Sequence, residues 1–333
     1  MGYYLGVDIG GTKSHALVAD GEGSVLGLGE AGAGNHEVVG YDGLADALQQ
    51  VTVQALGSAG ISTPQLAGAG FGVAGYDWPS ELAPTRAAID RLGLGCPYEV
   101  ANDTIIGLVA GASQGWGVAI VAGTGNNCRG RDLQGREGRI TGNGGWFGEY
   151  GGAGELVSKA LQAVAYEWSH RGPATALTLA FLSLTGASSI EQLLEGLVME
   201  RYWLSSSAAP LVFQVAAQGD PAAIEAVRWA GCELGESAKA VIRQLDMQHQ
   251  EFEVVLVGSL FEGGTLLLDA LRQTIQELAP NARLVRLAAP PVVGGVLLGM
   301  QASGWLVPGP QLAAMRQKLL ASAEAFFQSR SLA

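Results

Sequence analysis

The sequence has few charged residues, an acidic balance and no long uninterrupted apolar run. Only 15% of its 333 residues are charged, and 31 acidic against 19 basic residues give a net charge of −12. Because nucleic acid and anionic membranes attract positive surfaces, we expect neither as a partner. No apolar stretch approaches the length of a membrane span, and the N-terminus lacks the basic region of a signal peptide.

Cysteine is scarce, and its spacing excludes the usual cysteine-based sites. Cys96, Cys128 and Cys232 are odd in number, lie far apart in the chain and include no C-x-x-C pair. They therefore predict neither a disulfide framework nor a zinc or iron–sulfur site. A reducing compartment suits such a chain, so we expect a cytoplasmic protein.

Glycine and apolar residues are abundant instead. Hydrophobic residues make up 48% of the chain, which contains 50 glycines. This composition is typical of a compact globular protein, and the length allows two domains of ordinary size. Apolar strand-like runs alternate with helical spacing, which predicts an α/β fold.

The first glycine-rich stretch, YLGVDIGGTKSHALVADGEGSVLG (4–27), raises the question of phosphate binding. It is not a P-loop, because Thr12 separates Gly11 from Lys13 and the following residues resemble a strand rather than a helix. A glycine turn between two strands can still bind phosphate, since backbone N–H groups approach a ligand closely there. A plain hairpin turn is the alternative.

A second stretch, GVAIVAGTGNNCRGRDLQGREGRITG (117–142), repeats this design. A strand runs into Gly123-Thr124-Gly125, and a short strand, a glycine turn and another strand follow. The two copies indicate an internal duplication, with one unit opening each half of the chain. Two such turns facing each other could hold one polyphosphate, although chance similarity of hairpins is an alternative.

Gly70, Gly72 and Gly75 also match the G-x-G-x-x-G pattern of dinucleotide-binding proteins. The match stands alone, because no acidic residue follows in the right context about twenty residues later. Glu99 matches the expected position of that acidic residue only approximately. The pattern is therefore a weak alternative.

Several motifs occur in an order and spacing that resemble a known superfamily, that of sugar kinases, Hsp70 and actin. They correspond to its phosphate-1, connect, phosphate-2 and adenosine segments, and they are DIGGT (8–12), Asp103 in VANDT, AGTGNN (122–127) and VVLVGSL (254–260). More narrowly, NHE (35–37), GTGNN and GNGGWFGE (142–149) resemble the N-acetylglucosamine kinase branch of the BadF/BadG/BcrA/BcrD ATPase family. The resemblance covers roughly residues 2 to 304.

The resemblance implies two ribonuclease-H-like domains of the actin-like ATPase type, with a nucleotide and sugar cleft between them. We expect the first domain at residues 1–108 and the second at 109–304. A helical tail at 305–333 is expected to pack on the body or on a partner subunit. We also expect a homodimer.

The resemblance further implies ATP and Mg²⁺ as cosubstrates. Asp8 would hold Mg²⁺ through water, because this ion keeps most of its hydration shell. The phosphates would contact Gly10, Gly11, Thr12 and Lys13 from one domain and Gly123, Thr124 and Gly125 from the other. Gly258 and Ser259 would lie against the nucleoside.

Asp103 matches the position of the family's catalytic base. A sugar hydroxyl needs a carboxylate within hydrogen-bond reach to accept its proton, and Asp103 would supply it. The alternative is that Asp103 only caps the helix that begins at TIIGLVAG, which its position also suits.

For the sugar, the resemblance implies further site residues and one departure from the family's pattern. Asn35 and His36 match an Asn-His pair, and Gly145 and Trp146 match a Gly-Trp element in which Trp can pack on the sugar ring. Asp77, with Trp78, should border the same cleft. The family's next motif carries a sugar-binding Asp. A two-residue deletion places Glu149 there, whereas an ungapped match places Gly152 and Ala153 there and leaves no carboxylate.

The sequence therefore predicts an ATP-dependent kinase of an amino sugar, with O6 of N-acetylglucosamine as the first choice. Glucosamine or another hexosamine is the alternative substrate of the same fold. An ATPase activator that energises electron transfer is an alternative from another class, but its iron–sulfur cysteines have no match here. A catalytically silent sugar sensor is a third possibility, against which the intact Asp103 argues.

Overall fold

The structure is a computed structural model, and it describes residues 2–307 and 309–331. Its first half forms a five-stranded sheet in the order β3-β2-β1-β4-β5. The pairs β1–β2 and β2–β3 are antiparallel, whereas β1, β4 and β5 run parallel. The strands are β1 Tyr3–Ile9, β2 Ser14–Asp20, β3 Val25–Ala31, β4 Leu66–Val73 and β5 Tyr98–Ala101, with helices α1 His36–Ala59, α2 Leu82–Asp90 and α3 Asp103–Gly111.

The second half repeats this sheet strand for strand. Its order is β10-β9-β6-β7-β8, with β6–β7 and β7–β8 antiparallel and β6, β9 and β10 parallel. The strands are β6 Gly117–Ala122, β7 Asn126–Arg131, β8 Glu137–Ile140, β9 Glu253–Val257 and β10 Arg283–Arg286. Each half thus opens with a glycine turn between its first two strands, as the duplicated sequence pattern predicts.

The second half carries a larger helical layer. Between β8 and β9 lie α4 Ala153–Trp168, α5 Ala176–Thr185, α6 Ile190–Val198, α7 Ala209–Ala217 and α8 Pro221–Gln244, and later helices are α9 Thr265–Gln276, α10 Val292–Ala302 and α11 Pro310–Ser331. In the part of the chain that the structure describes, no single helix is long and apolar enough to cross a membrane. The bent pair α5 and α6 passes that test of length and composition only when taken together.

The helix α10 belongs to the second half of the sequence, but it packs on the sheet of the first half. Glycines let the backbones touch, because a Cβ atom on Gly6 would collide with Val296 and one on Gly70 would collide with the carbonyl of Gly295. Gly72 likewise faces Ile106 of α3. The glycines at 70 and 72 therefore serve close helix packing, and the dinucleotide alternative is not needed to explain them.

The helix α11 packs on the body of the same chain. Ser322 accepts the N–H of Val25 at 2.8 Å, and Leu312 and Leu319 are buried in the same apolar cluster as α3 and α10. Arg316 donates to the carbonyls of Ala110 and Gly111 at the end of α3, at 2.6 and 2.5 Å. The C-terminal helices thus return to the first half of the chain.

Candidate nucleotide and sugar site

Two glycine turns open toward free space. In the first, Gly10 donates to the carbonyl of Lys13 at 3.1 Å, and Gly11, Thr12 and Lys13 are exposed. In the second, Gly123 donates to the carbonyl of Gly125 at 2.9 Å. A Cβ atom on Gly11, Gly123 or Gly125 would meet no atom within 4 Å. Both turns therefore have room for a ligand beside their backbones.

The second turn borders a cavity of about 670 Å³. Gly123 and Thr124 line it together with Ser259, so the structure brings the predicted phosphate and nucleoside segments to one cavity. The helix α4 begins directly at this turn, because Ala153 and Gly154 donate to the carbonyls of Gly123 and Thr124 at 2.9 and 3.0 Å. A helix N-terminus beside a glycine turn favours an anionic ligand.

The backbone conformation and close packing at residue 258 require a glycine. Its φ is +109°, and a Cβ atom there would collide with the carbonyl of Ala122 at the end of β6. The turn after β9 can therefore lie flat against β6, which leaves Ser259 at the cavity wall.

The far wall of the cavity comes mostly from residues that the sequence did not indicate. They lie at and before α7 and in the turn after β9, and they are Ser206, Ser207, Ala209, Pro210, Phe213, Gln214, Glu262 and Gly263. Leu260, the last residue of the motif VVLVGSL, also lines this wall. The ring of Phe213 covers Gly263 so closely that a Cβ atom there would collide with it. The segment around α7 has no motif of its own, and only its packing against the turn reveals it.

Asp8 and Asp103 interact electrostatically at the ends of β1 and β5. Burial, followed by the charge of Asp103, raises the pKa of Asp8 to about 8. Burial, followed by the charge of Asp77, raises the pKa of Asp103 to about 6, although Arg129 and the N–H of Thr104 lower it. The folded protein therefore disfavours the ionised forms of both carboxylates.

Asn102, not Asp103, holds the N-cap position of α3. The side-chain oxygen of Asn102 accepts the N–H of Thr104 at 2.9 Å, and Asp103 is the first helical residue. Asp103 also accepts this N–H at 2.9 Å. The capping alternative for Asp103 is therefore wrong as stated, since a better-placed residue already satisfies the helix end.

Asp77 is buried and paired. Its side chain forms an ion pair with Arg129 of β7 and accepts from Asn102 at 3.3 Å. Burial raises the pKa of Asp77, and the charge of Arg129 opposes that rise. Sequence reasoning missed Arg129, which is one of two arginines in the otherwise small and polar strand NNCRGR and belongs to no recognised site motif.

Asn35 and His36 lie at the start of α1, beside the loop that follows β4. Asn35 is the N-cap of α1 and accepts the N–H of Glu37 at 2.9 Å, and a Cβ atom on Gly75 would collide with its Oδ1. His36 stacks on Tyr41, with ring centroids 4.5 Å apart. Its Nε2 lies 3.7 Å from a carboxylate oxygen of Glu81.

Glu149 is buried, and its carboxylate accepts hydrogen bonds from its own loop. The donors are the N–H groups of Thr141 and Asn143, at 3.1 and 2.7 Å, and the hydroxyl of Thr141 at 3.3 Å. Gly145 is exposed, and Trp146 is 95% exposed. The carboxylate therefore holds a loop that presents an uncovered aromatic ring.

Within residues 2–307 and 309–331, no group of three or more His, Cys, Asp or Glu side chains could hold a metal ion by itself. Cys96, Cys128 and Cys232 are free, and Cys128 is buried in β7, where burial raises the pKa of its thiol. A Mg²⁺ ion that keeps its water and binds phosphate needs few protein ligands. The half-buried Asp8, whose ionised form is disfavoured without a cation, fits that requirement.

Known proteins resemble this chain along most of its length. An N-acetylmuramic acid/N-acetylglucosamine kinase of Clostridium acetobutylicum is 26% identical over 300 residues, which cover 90% of this chain and 98% of that protein. An N-acetyl-D-glucosamine kinase of Dictyostelium discoideum is 26% identical over 314 residues, covering 89% and 97%. A structure from Chromobacterium violaceum, provisionally described as an N-acetylglucosamine kinase, superposes with a TM-score of 0.62 at 24% identity, covering 90% of this chain and 99% of that one.

These similarities agree with the two repeated sheets and confirm the predicted α/β fold of the actin-like ATPase type. The sequence model of the BadF/BadG/BcrA/BcrD ATPase family matches residues 5–299, which span both glycine turns, Asp103 and the turn after β9. The chain belongs to the BadF/BadG/BcrA/BcrD ATPase family.

Proposed function

We propose that this protein is an ATP-dependent kinase of an amino sugar, with O6 of N-acetylglucosamine as the acceptor. The observation that supports the proposal is the pair Asp8 and Asp103 at the ends of β1 and β5, because burial raises both pKa values and the charge of Asp103 adds to the rise at Asp8. The curated relatives whose names are those of N-acetylglucosamine kinases support the choice of sugar.

In this proposal Asp103 is the general base. With a pKa of about 6 it is mostly ionised at neutral pH, yet it is basic enough to accept the proton of a sugar hydroxyl. The hydroxyl oxygen then forms a bond to the γ-phosphorus of ATP, and the bond between that phosphorus and the β,γ-bridging oxygen breaks. Asp103 holds the proton, and ADP leaves.

The two glycine turns and Asp8 bind the phosphates. Gly10, Gly11, Thr12 and Lys13 act from the first sheet, and Gly123, Thr124 and Gly125 act from the second. Because phosphoryl transfer depends mainly on positioning and on charge stabilisation, these groups do most of the catalytic work. Mg²⁺ held near Asp8 would neutralise phosphate charge. Gly258 and Ser259 contact the nucleoside, with Phe213 on the opposite wall of its cavity.

The sugar lies between Asn35 and the loop that contains Gly145, Trp146 and Glu149. Asn35 donates to a sugar hydroxyl from Nδ2, while its Oδ1 accepts the N–H of Glu37 at the start of α1. His36 lies behind it and fixes the start of α1. Trp146 is uncovered in the absence of sugar, and it packs on the sugar ring when the loop closes. Asp77 borders this pocket from its ion pair with Arg129.

We further propose domains at 1–108 and 109–304 with a helical tail at 305–333, in a cytoplasmic homodimer. Three free cysteines support a reducing compartment. Residue 108 falls within α3, so the first domain would end inside a helix that both halves contact. Sedimentation of the purified protein tests the dimer.

A coupled ADP-release assay across a panel of sugars tests the proposed activity. We expect Mg²⁺-dependent turnover with N-acetylglucosamine and slower turnover with glucosamine. Product analysis by NMR should find phosphate on O6. Fastest turnover with glucosamine would instead favour the hexosamine alternative, and ADP release without sugar phosphate would favour an ATPase.

Two variants then test the sugar pocket. Asn35→Ala should raise KM for the sugar far more than KM for ATP, because it removes a hydrogen bond of about 1–3 kcal/mol from one substrate only. Glu149→Gln should also weaken sugar binding, since the loop loses a charged acceptor. If Asn35→Ala raised both KM values equally, the sugar would have to bind away from Asn35.

A further inference from the structure

Arg129 reaches from the second sheet into the first half of the chain. It pairs with Asp77 and donates from Nη2 to the carbonyl of Tyr76 at 3.2 Å, in the loop that follows β4. The residues Arg129 and Asp77 are only 4% and 7% exposed. A charge pair withdrawn so far from water contributes little net stability, because apolar residues of similar volume are often as stable. The neighbours of the pair indicate another role.

Asn102 binds the same two acceptors as Arg129. Its Nδ2 donates to the carbonyl of Tyr76 at 3.2 Å and to Oδ1 of Asp77 at 3.3 Å. Its Oδ1 accepts the N–H of Thr104 at 2.9 Å, which is the cap of α3. The Asn102 side chain is therefore fixed on one side by groups that Arg129 holds and on the other by the first turn of α3.

We propose that Arg129 is a positioning residue for Asp103, acting through Asp77 and Asn102 on the first turn of α3. Asp103 directly follows Asn102, and its Oδ1 accepts the same Thr104 N–H at 2.9 Å. A shift of the Asn102 amide moves the carboxylate that begins the helix. This inference rests on the proposed function, in which Asp103 is the base.

Both halves of the chain contribute residues to this hydrogen-bond network. Arg129 belongs to β7 in the second sheet, and Asp103 follows β5 in the first. Asp77 and the carbonyl of Tyr76, which hold the Asn102 side chain, are therefore themselves bound by a residue of the other half. Coupling of this kind ties the position of the base to the state of the cleft.

Arg131 offers a matched control two residues further along β7, on the same face of the strand. It also reaches the first half, where it bonds Glu99 at 2.9 Å, and it bonds Glu137 at 2.8 Å. Among the described residues, its side chain forms hydrogen bonds and ion pairs with Glu99 and Glu137 and none with Asp77 or Asn102. Arg131→Met therefore removes a comparable contact between the halves without touching the cap of α3.

Steady-state kinetics of Arg129→Met, Arg129→Lys and Arg131→Met form the first arm of the test. We expect Arg129→Met to lower kcat on the order of 10²-fold while both KM values stay within about threefold. Arg129→Lys should recover part of that loss, because it keeps the charge but lacks the planar guanidinium whose Nη2 donates to both Tyr76 and Asp77. Arg131→Met should keep kcat near that of the wild type. An equal loss in Arg131→Met would overturn the proposal.

Hydrogen exchange at the Thr104 amide forms the second arm and needs no substrate. Arg129→Met should speed this exchange by about tenfold or more, whereas Arg131→Met should not, even where both lower the melting temperature. Unchanged exchange in Arg129→Met would make the ion pair purely structural and overturn the proposal. If Arg129→Met does not fold, Arg129→Lys carries the same comparison with a smaller effect.

The two arms separate this inference from the proposed function. If the wild type phosphorylates no amino sugar, the proposed function fails, and Thr104 exchange still decides whether Arg129 holds α3. Adding Asp77→Asn to Arg129→Met should restore the melting temperature by removing an unpaired buried carboxylate. Exchange of the Thr104 amide should stay fast in the double variant. Its return to the wild-type rate would contradict the proposal that Arg129 holds the first turn of α3.

Discussion

The Oδ1 atom of Asn35 occupies the space that a Cβ atom on Gly75 would need. Asn35 begins α1, and Gly75 belongs to the loop after β4, where its φ is +80°. The absence of a side chain at residue 75 thus lets the loop of Asp77 lie against the predicted sugar-binding asparagine. A substitution at Gly75 therefore tests whether the position of the Asn35 side chain matters for sugar binding.

Gly75→Ala should raise KM for the sugar by about tenfold, because the new methyl group displaces the Asn35 side chain. KM for ATP should change little. Gly60→Ala is the matched control, since Gly60 has a similar φ of +68° but no atom within 4 Å of an added Cβ. The control should lose stability and keep its KM for sugar. A higher sugar KM in both variants would show that backbone strain alone is the cause.

Asp103→Asn should lower kcat on the order of 10²–10⁴-fold, because asparagine cannot accept the hydroxyl proton. Since Asn102 already caps α3, the variant should keep its stability, and loss of a carboxylate whose pKa is raised in the folded protein should increase the melting temperature near neutral pH. Asn102→Ala provides the contrast, and it should cost about 1 kcal/mol of unfolding free energy. Turnover by Asp103→Asn at a near-normal rate in single-turnover assays would rule out Asp103 as the base.

The pH dependence of kcat/KM for the sugar should follow the carboxylate of Asp103. Its pKa is raised to about 6, so the base becomes protonated and inactive as the pH falls through that value. We expect log kcat/KM to fall with a slope near one below pH about 6 and to level off above it. Rates measured at sugar concentrations well below KM, with ATP and Mg²⁺ saturating, check this. A flat profile down to pH 5 would contradict general-base catalysis by this group.

Asp8→Asn should stabilise the ligand-free protein while it impairs catalysis. The folded state raises the pKa of Asp8 to about 8, so proton binding favours folding, and this stabilisation is lost as the pH rises through that value. Removing the charge should raise the melting temperature at pH 8 by about 2–5 °C. The gain should shrink toward pH 5, where Asp8 is protonated in the folded state. Calorimetry at both pH values measures it.

Phe213→Ala should raise KM for ATP and leave KM for sugar unchanged. The ring covers Gly263 and forms one wall of the cavity that contains Thr124 and Ser259. Leu211→Ala, on the same helix but not lining that cavity, is a control for the loss of apolar packing. An effect of Phe213→Ala on the sugar alone would mean that the nucleotide binds elsewhere.

The parts of the site that lie in local motifs could be predicted from the sequence. A glycine turn between two strands is a short-range pattern, so Gly10–Lys13 and Gly123–Gly125 were found with their strands. The pairing of Arg129 with Asp77 joins residues 52 positions apart, and it depends on how the two sheets meet. No periodicity carries that information. Asn102 and Asp103 are both good capping residues, and only the backbone geometry decides between them.

The covering of the first sheet by α10 imposes an order on biosynthesis. The strands β1 to β5 are complete once Ala101 has been made, yet the helix that lies against Gly6 and Gly70 begins at Val292. Until then α3 alone covers part of this apolar face of the nascent N-terminal half. The ribosome therefore makes almost the whole chain before this face is fully covered, and a protein truncated ahead of α10 would expose much of it to aggregation.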